Sequence, residues 1–126
     1  MAERRLTIVI ADDDPYLREV LRLLLRGDEY EVVGEAANGE VALDLCRTLR
    51  PDVALLDINM PIKDGLTVRD ELKAGKNPSR VVMMSGEATV DKVQLALAKG
   101  AAGFIVKPFK VGTLLDELRD RLRRPQ

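Results

Sequence analysis

The sequence alternates short apolar segments with longer amphipathic ones, five times over, and no other feature constrains the fold as strongly. The apolar segments are rich in valine, isoleucine and leucine, as is typical of strands buried on both faces. Strands that alternate with helices predict a parallel sheet covered by helices on both sides, an α/β fold of the doubly wound type. The predicted strands are Leu6–Ala11, Tyr30–Ala36, Asp52–Asp57, Arg80–Ser85 and Gly103–Val106.

The amphipathic segments carry apolar residues at the spacing of a helix. We expect Asp14 and Asn38 to cap the first two helices, and Gly27 to end the first. The segment from 66 to 73 has the weakest helical pattern. The predicted inward-facing stripes are Leu17, Val20, Leu21 and Leu24; Ala42, Leu45, Cys46 and Leu49; Val90, Val93 and Leu97, in a helix from Thr89 to Lys99; and Val111, Leu114, Leu115, Leu118 and Leu122.

Length and composition predict one soluble domain that spans residues 1–126. The chain is 46% hydrophobic and has a net charge of -1, so neither disorder nor nucleic-acid binding is indicated. Its single cysteine excludes an internal disulfide and fits a reducing cytoplasm. No apolar run approaches the roughly 20 residues that span a bilayer, and we see no secretory signal. We therefore expect a cytoplasmic protein that makes no membrane contact.

Polar side chains end four of the five predicted strands. Asp12 and Asp13 follow the first strand, Asp57 ends the third, Ser85 ends the fourth, and Lys107 follows the fifth. In sheets of this type ligands bind beyond the carboxyl ends of the strands. We therefore expect these five side chains to form one site.

The chemistry of this predicted site favours a cation and a phosphoryl group. Two carboxylates about 4 Å apart repel by roughly 4 kcal/mol at an effective dielectric of about 20, so the cluster should bind a cation or hold a proton. With oxygen ligands and no histidine in the chain, Mg²⁺, Mn²⁺ or Ca²⁺ is favoured over zinc. A metal, a lysine and a hydroxyl around a carboxylate suit phosphoryl transfer. Asp57 would be the nucleophile and an aspartyl phosphate the product.

The motifs "IVIADDDP", "LLDINMPIKDG", "VVMMSGEA" and "GAAGFIVKPF" resemble, in order and spacing, those of response-regulator receiver domains, the phosphoacceptor modules of two-component signalling. The resemblance covers essentially the whole chain and implies a flavodoxin-like strand order, 2-1-3-4-5. It implies phosphorylation of Asp57, with Mg²⁺ or Mn²⁺ bound by Asp12, Asp13, Asp57 and the main-chain carbonyl of Asn59. It also implies a signalling module rather than a conventional enzyme.

The same resemblance implies roles for residues around the phosphorylated aspartate. Ser85 and Lys107 would contact the phosphoryl group, and Ser85 with Phe104 would switch conformation. Asn59 and Glu87 would flank the path of the hydrolytic water and tune dephosphorylation. The implied donor is a histidine kinase or a phosphotransfer protein. The implied output is a downstream protein or a second copy of the chain, bound by the surface of the Thr89–Lys99 helix, the Gly103–Val106 strand and the C-terminal helix.

Several alternatives stay open at the level of the sequence. An Asp-x-Asp pattern within "DDD" would suit a phosphatase of the haloacid-dehalogenase type, with Asp12 as the acceptor. A module that binds partners without phosphorylation is a third possibility. Asp14 could be a metal ligand instead of a helix cap, Asp64 is expected to serve a turn, and Phe104 could be a plain core residue.

Overall fold

Five parallel strands form one sheet in the order β2-β1-β3-β4-β5. The computed structural model describes residues 5–27, 29–86, 94–95, 97–98 and 100–122. The strand order confirms the flavodoxin-like topology, and four of the five predicted strands have the expected bounds. The strands are β1 (Leu6–Ala11), β2 (Tyr30–Ala36), β3 (Val53–Asp57), β4 (Arg80–Ser85) and β5 (Gly103–Val106).

Strand β3 begins at Val53, one residue later than predicted. Asp52, just before it, forms hydrogen bonds with Thr7 of β1 through its side chain and its main-chain nitrogen. The Asp52 carboxylate accepts hydrogen bonds from the main-chain nitrogen of Thr7, at 2.8 Å, and from its hydroxyl, at 3.1 Å. In return, the main-chain nitrogen of Asp52 donates to the Thr7 hydroxyl at 2.9 Å. This reciprocal contact joins the start of β3 to β1.

Side-chain caps start three of the described helices, and none of the described helices is long and apolar enough to cross a bilayer. Asp14 accepts from the main-chain nitrogen of Tyr16, and Asn38 from that of Val41, as predicted. Asp64 also caps a helix, by accepting from Thr67, so it does more than serve a turn. The helices are α1 (Pro15–Leu25), α2 (Gly39–Leu49), α3 (Gly65–Ala74) and the C-terminal helix (Val111–Leu122).

The sheet separates two apolar layers. One layer packs Val9 and Leu56 of the central strands against α2 and α3. The other packs Ile10 and Leu55 against α1 and the C-terminal helix. Because successive side chains of a strand point to opposite faces, burial on both faces requires strands that are apolar throughout.

Three of the predicted stripes are wrong at single positions. Leu49 is 44% exposed and Val111 is exposed, since each is a terminal residue of its helix. Leu43 is buried within α2 instead. Leu97 is 42% exposed, although we predicted that it faces inward. The rest of the Thr89–Lys99 prediction, including Val90 and Val93, lies outside the described residues, apart from Gln94, Leu95, Leu97 and Ala98, which are helical.

Cys46 is a small core residue, as its place on the α2 stripe predicted. Its side chain is fully buried against α3 and the neighbouring strands. Burial raises the pKa of the thiol to about 12. The thiol is therefore neutral at physiological pH.

The corrected α2 stripe can be tested with two leucine truncations in the same helix. Leu43 is 2% exposed, so Leu43→Ala should lower the free energy of unfolding of the protein by about 2–5 kcal/mol, because a cavity forms in the core. Leu49→Ala should cost less than about 1 kcal/mol, since its side chain is partly solvated. Urea unfolding measures both. Equal losses would show that Leu49 belongs to the core as first predicted.

Candidate functional site

The structure brings the predicted polar residues together at the carboxyl edge of the sheet. Asp12 follows β1, Asp57 ends β3, Ser85 ends β4 and Lys107 follows β5. Asp12 and Ser85 are fully buried and Asp57 is 5% exposed, whereas Asp13 is exposed. Two buried carboxylates at one edge require a nearby positive charge.

Lys107 supplies that charge. Its Nζ donates to Oδ2 of Asp12 at 2.6 Å and to Oδ2 of Asp57 at 3.0 Å. One ammonium group therefore bridges both buried carboxylates. The sequence suggested that only a bound cation or a proton would relieve their repulsion, and it did not predict that Lys107 pairs with Asp12.

The pKa values of Asp57 and Lys107 reflect two opposing effects, burial of the charged groups and the hydrogen bonds between them. Burial raises the pKa of Asp57, the hydrogen bond from Lys107 works against that rise, and repulsion from Asp12 adds to it. Burial on its own would lower the pKa of Lys107, but its bonds to Asp12 and Asp57 outweigh burial and the pKa is raised. Lys107 therefore stays protonated while it joins the two carboxylates.

Main-chain and arginine contacts hold the two buried carboxylates in place. The main-chain nitrogen of Asp14 donates to Asp12 Oδ1 at 2.9 Å, and that of Asn59 donates to Asp57 Oδ1 at 3.2 Å. Arg18 Nη1 donates to the main-chain oxygen of Asp12 at 2.7 Å. Its Nε lies 3.6 Å from a carboxylate oxygen of Glu35 in β2. Arg18 was missed because nothing in the local sequence distinguishes it from Arg22, the other arginine of α1.

The loop after Asp57 is held by close backbone packing. A side-chain carbon at Gly65 would lie 2.4 Å from the main-chain oxygen of Asp57, and one at Gly39 would lie 1.8 Å from that of Lys63. Only glycine fits at either position without displacing the loop. Gly65 is the last residue of the motif "LLDINMPIKDG", whereas nothing in the sequence indicated the contact of Gly39 with Lys63.

The acidic groups form a donor set that fits a hard divalent cation. Asp12, Asp13 and Asp57 each place one carboxylate oxygen within 4.8 Å of the others. Carboxylate oxygens are the ligands that Mg²⁺ prefers, and the chain contains no histidine that would favour zinc. Asp14 uses its carboxylate to cap α1, which supports the cap over the alternative of a further ligand.

The structure gives less detail about the remaining predicted residues, Ser85, Phe104 and Glu87. Ser85 is buried, and its main-chain oxygen accepts from the nitrogen of Lys107 at 2.9 Å. Phe104 is half-buried and packs against the α2 and α3 layer. The Lys107–Pro108 peptide is cis. Glu87 lies outside the described residues.

Comparison with known proteins gives one consistent family. The chain matches the response regulator receiver domain over residues 8–119. It is 32% identical over 115 residues to the chemotaxis protein CheY of Halobacterium salinarum, covering 91% of this chain and 95% of CheY. It is 40% identical over 126 residues to the DNA-binding response regulator MtrA of Mycolicibacterium smegmatis, covering 98% of this chain and 54% of MtrA. The chain thus spans nearly all of the CheY relative and about half of MtrA.

Solved structures show the same architecture. The signal receiver domain of the response regulator NarL from Mycobacterium tuberculosis superposes with a TM-score of 0.91 and 34% identity, covering 98% of this chain and 100% of that domain. A chain of the CheX–CheY–BeF3–Mg²⁺ complex from Borrelia burgdorferi superposes with a TM-score of 0.84 and 30% identity, covering 91% and 87%. The chain therefore belongs to the response regulator receiver domains, the signalling modules of two-component systems.

Proposed function

We propose that this receiver domain accepts a phosphoryl group on Asp57 from a phosphohistidine of a kinase or phosphotransfer protein. The observation that carries the proposal is the bridge from Lys107 to Asp12 and Asp57, at 2.6 and 3.0 Å. The bridge supports the proposal because a cation lies beside the nearly buried Asp57 carboxylate, at the edge of the sheet where ligands of this fold bind. Family membership supports the same assignment.

The proposed step is an in-line displacement. A carboxylate oxygen of Asp57 forms a bond to phosphorus as the bond from phosphorus to the histidine nitrogen breaks, and the leaving imidazole takes up a proton from solvent. Lys107 offsets the charge on the equatorial phosphoryl oxygens, and the Ser85 hydroxyl offers a hydrogen-bond donor. Ser85 follows Met84, which is the register partner of Asp57 in β4, and Lys107 donates directly to Asp57 at 3.0 Å.

A divalent cation would complete the charge balance of this reaction. We assign Asp12, Asp13, Asp57 and the main-chain carbonyl of Asn59 as the groups that would hold Mg²⁺ or Mn²⁺. Bound there, the ion would supply positive charge to the phosphoryl oxygens. The close approach of the three carboxylates supports the assignment.

The later steps of signalling are proposed from the same site. Asn59 and Glu87 would tune dephosphorylation by flanking the path of water to Asp57. Ser85 and Phe104 would carry the change to the surface around β5 and the C-terminal helix, where Val106 and Val111 are exposed. That surface would bind a downstream protein or a second copy of the chain. We propose no direct contact with nucleic acid or membrane.

The rival functions receive less support. A phosphatase of the haloacid-dehalogenase type would use Asp12 as acceptor, but the chain matches the receiver-domain family over residues 8–119, and Asp12 is fully buried. A module that works without phosphorylation would not need the Lys107 bridge. The extent of the domain over 1–126 and a cytoplasmic location stay predictions.

The acceptor can be identified with a small phosphodonor. In Mg²⁺, acetyl phosphate should add one phosphoryl group to the wild type and none to Asp57→Asn, because the mutant lacks the nucleophile. Intact-mass analysis with peptide mapping measures this, and Asp64→Asn, which changes an exposed carboxylate that caps α3, is the matched control. Equal incorporation in the wild type and Asp57→Asn would contradict the assignment, and label on Asp12 would favour the phosphatase.

Alanine substitutions of the two proposed metal ligands Asp12 and Asp13 should differ in their effect on the stability of the metal-free protein. Asp13→Ala should weaken Mg²⁺ binding with little effect on the metal-free melting temperature, because Asp13 is exposed. Asp12→Ala should weaken Mg²⁺ binding and also lower that temperature, because Lys107 loses a buried partner. Thermal unfolding across a Mg²⁺ titration measures both effects. A wild-type protein whose melting temperature does not respond to saturating Mg²⁺ would count against the site.

A further inference from the structure

A cationic groove lies at the end of the sheet opposite the acidic site. It runs between α3, the amino end of β4 and the segment that leads into β5, and its volume is about 400 Å³. Of the lining residues that the structure describes, four are cations and none is acidic. The cations are Arg69, Lys73, Lys76 and Arg80.

These cations are not paired with acids in the described part of the chain. No carboxylate among the described residues forms a salt bridge with any of the four. Arg80 instead donates to the main-chain oxygen of Leu122, at the end of the C-terminal helix. Four like charges gathered around one groove repel one another, and a bound anion would relieve that repulsion.

Arg69 reaches the groove through space that a glycine leaves open. Gly100 has a φ of +89°, and a side-chain carbon there would lie 2.3 Å from Arg69 Nη2. A larger residue would therefore push the guanidinium away in addition to straining the backbone. The pairing of Gly100 with Arg69 shapes one wall of the groove.

The floor of the groove is held by hydrogen bonds to neighbouring loops. The Asn77 side chain donates to the main-chain oxygen of Cys46 at 3.0 Å and accepts from the nitrogen of Ser79 at 3.0 Å. The Ser79 hydroxyl donates to the main-chain oxygen of Pro51 at 2.6 Å. Leu72 and Val81 are buried and add apolar surface. The groove is thus formed before any ligand arrives.

We infer that this groove binds a compact polyanion that carries two or more phosphate groups. Arginine guanidinium groups match phosphate oxygens in pairs, and the lysines add point charges. The volume falls within the range of small-molecule sites, about 300–1,000 Å³. Single-stranded nucleic acid is a poorer match, because no aromatic residue is found among the described residues of the lining on which its bases could stack. The inference does not depend on the function proposed for Asp57.

Calorimetric titration with tripolyphosphate in metal-free buffer tests the inference. The wild type should bind, and added salt should weaken binding because the cations are partly screened. The Arg69→Gln/Lys73→Gln double variant should bind at least about tenfold more weakly, as expected for the loss of charge-assisted hydrogen bonds. Arg26→Gln/Lys110→Gln removes one exposed arginine and one exposed lysine outside the groove and should leave the Kd unchanged.

Further measurements distinguish binding in the groove from nonspecific electrostatic binding to the protein surface. Melting temperatures should show that both double variants are folded, and acetyl phosphate should still label Arg69→Gln/Lys73→Gln. Equal weakening in the two double variants, or no binding to the wild type, would overturn the inference. An RNA oligonucleotide that binds more tightly than tripolyphosphate, and loses affinity in the groove variant, would overturn it in favour of a nucleic-acid surface.

Discussion

The bridge from Lys107 to Asp12 and Asp57 is the interaction on which the site depends. It joins residues that follow or end β1, β3 and β5, and Lys107 lies 95 positions after Asp12 in the chain. Two buried carboxylates would be costly without it, while a buried ion pair as a whole adds little net stability. The bridge therefore serves to offset the charge of two buried carboxylates at this edge of the sheet more than to hold the fold together.

The rest of the fold positions that bridge. The parallel register places Asp57 beside Met84, one residue before Ser85, and the main-chain nitrogen of Lys107 donates to the oxygen of Ser85. Asn59 and Gly65 hold the loop that follows Asp57. Acidic groups gather at the carboxyl edge, and at the groove on the opposite end lie four cations that form no salt bridge with any described residue. The net charge of -1 conceals this separation.

Much of this could be predicted from the sequence because the relevant signals are local. Apolar β-branched runs bounded by polar residues located the strands to within a residue, and Asp14 and Asn38 identified two helix starts. Position within a stripe was less informative at helix ends, where Leu49 and Val111 extend toward solvent. The convergence of Asp12, Asp57 and Lys107 followed from topology alone, since parallel strands deliver their carboxyl ends to one edge.

Other features required the folded chain. The pairing of Lys107 with Asp12, the contact of Arg18 with the Asp12 main chain, and the approach of Gly39 to Lys63 each join distant or solvent-facing positions. No local pattern marks such contacts, because they depend on how loops and helices meet in space. The groove around Arg69 and Gly100 was invisible for the same reason.

A double-mutant cycle between Lys107 and Asp12 tests the central interaction most directly. Unfolding free energies of the wild type, Lys107→Met, Asp12→Asn and the double variant would be measured by urea denaturation without divalent metal. If Lys107 neutralises Asp12 in the folded protein, the two changes should be coupled by about 1–3 kcal/mol, with the double variant less destabilised than the sum. Effects that add to within about 0.5 kcal/mol would contradict the bridge as the basis of the site.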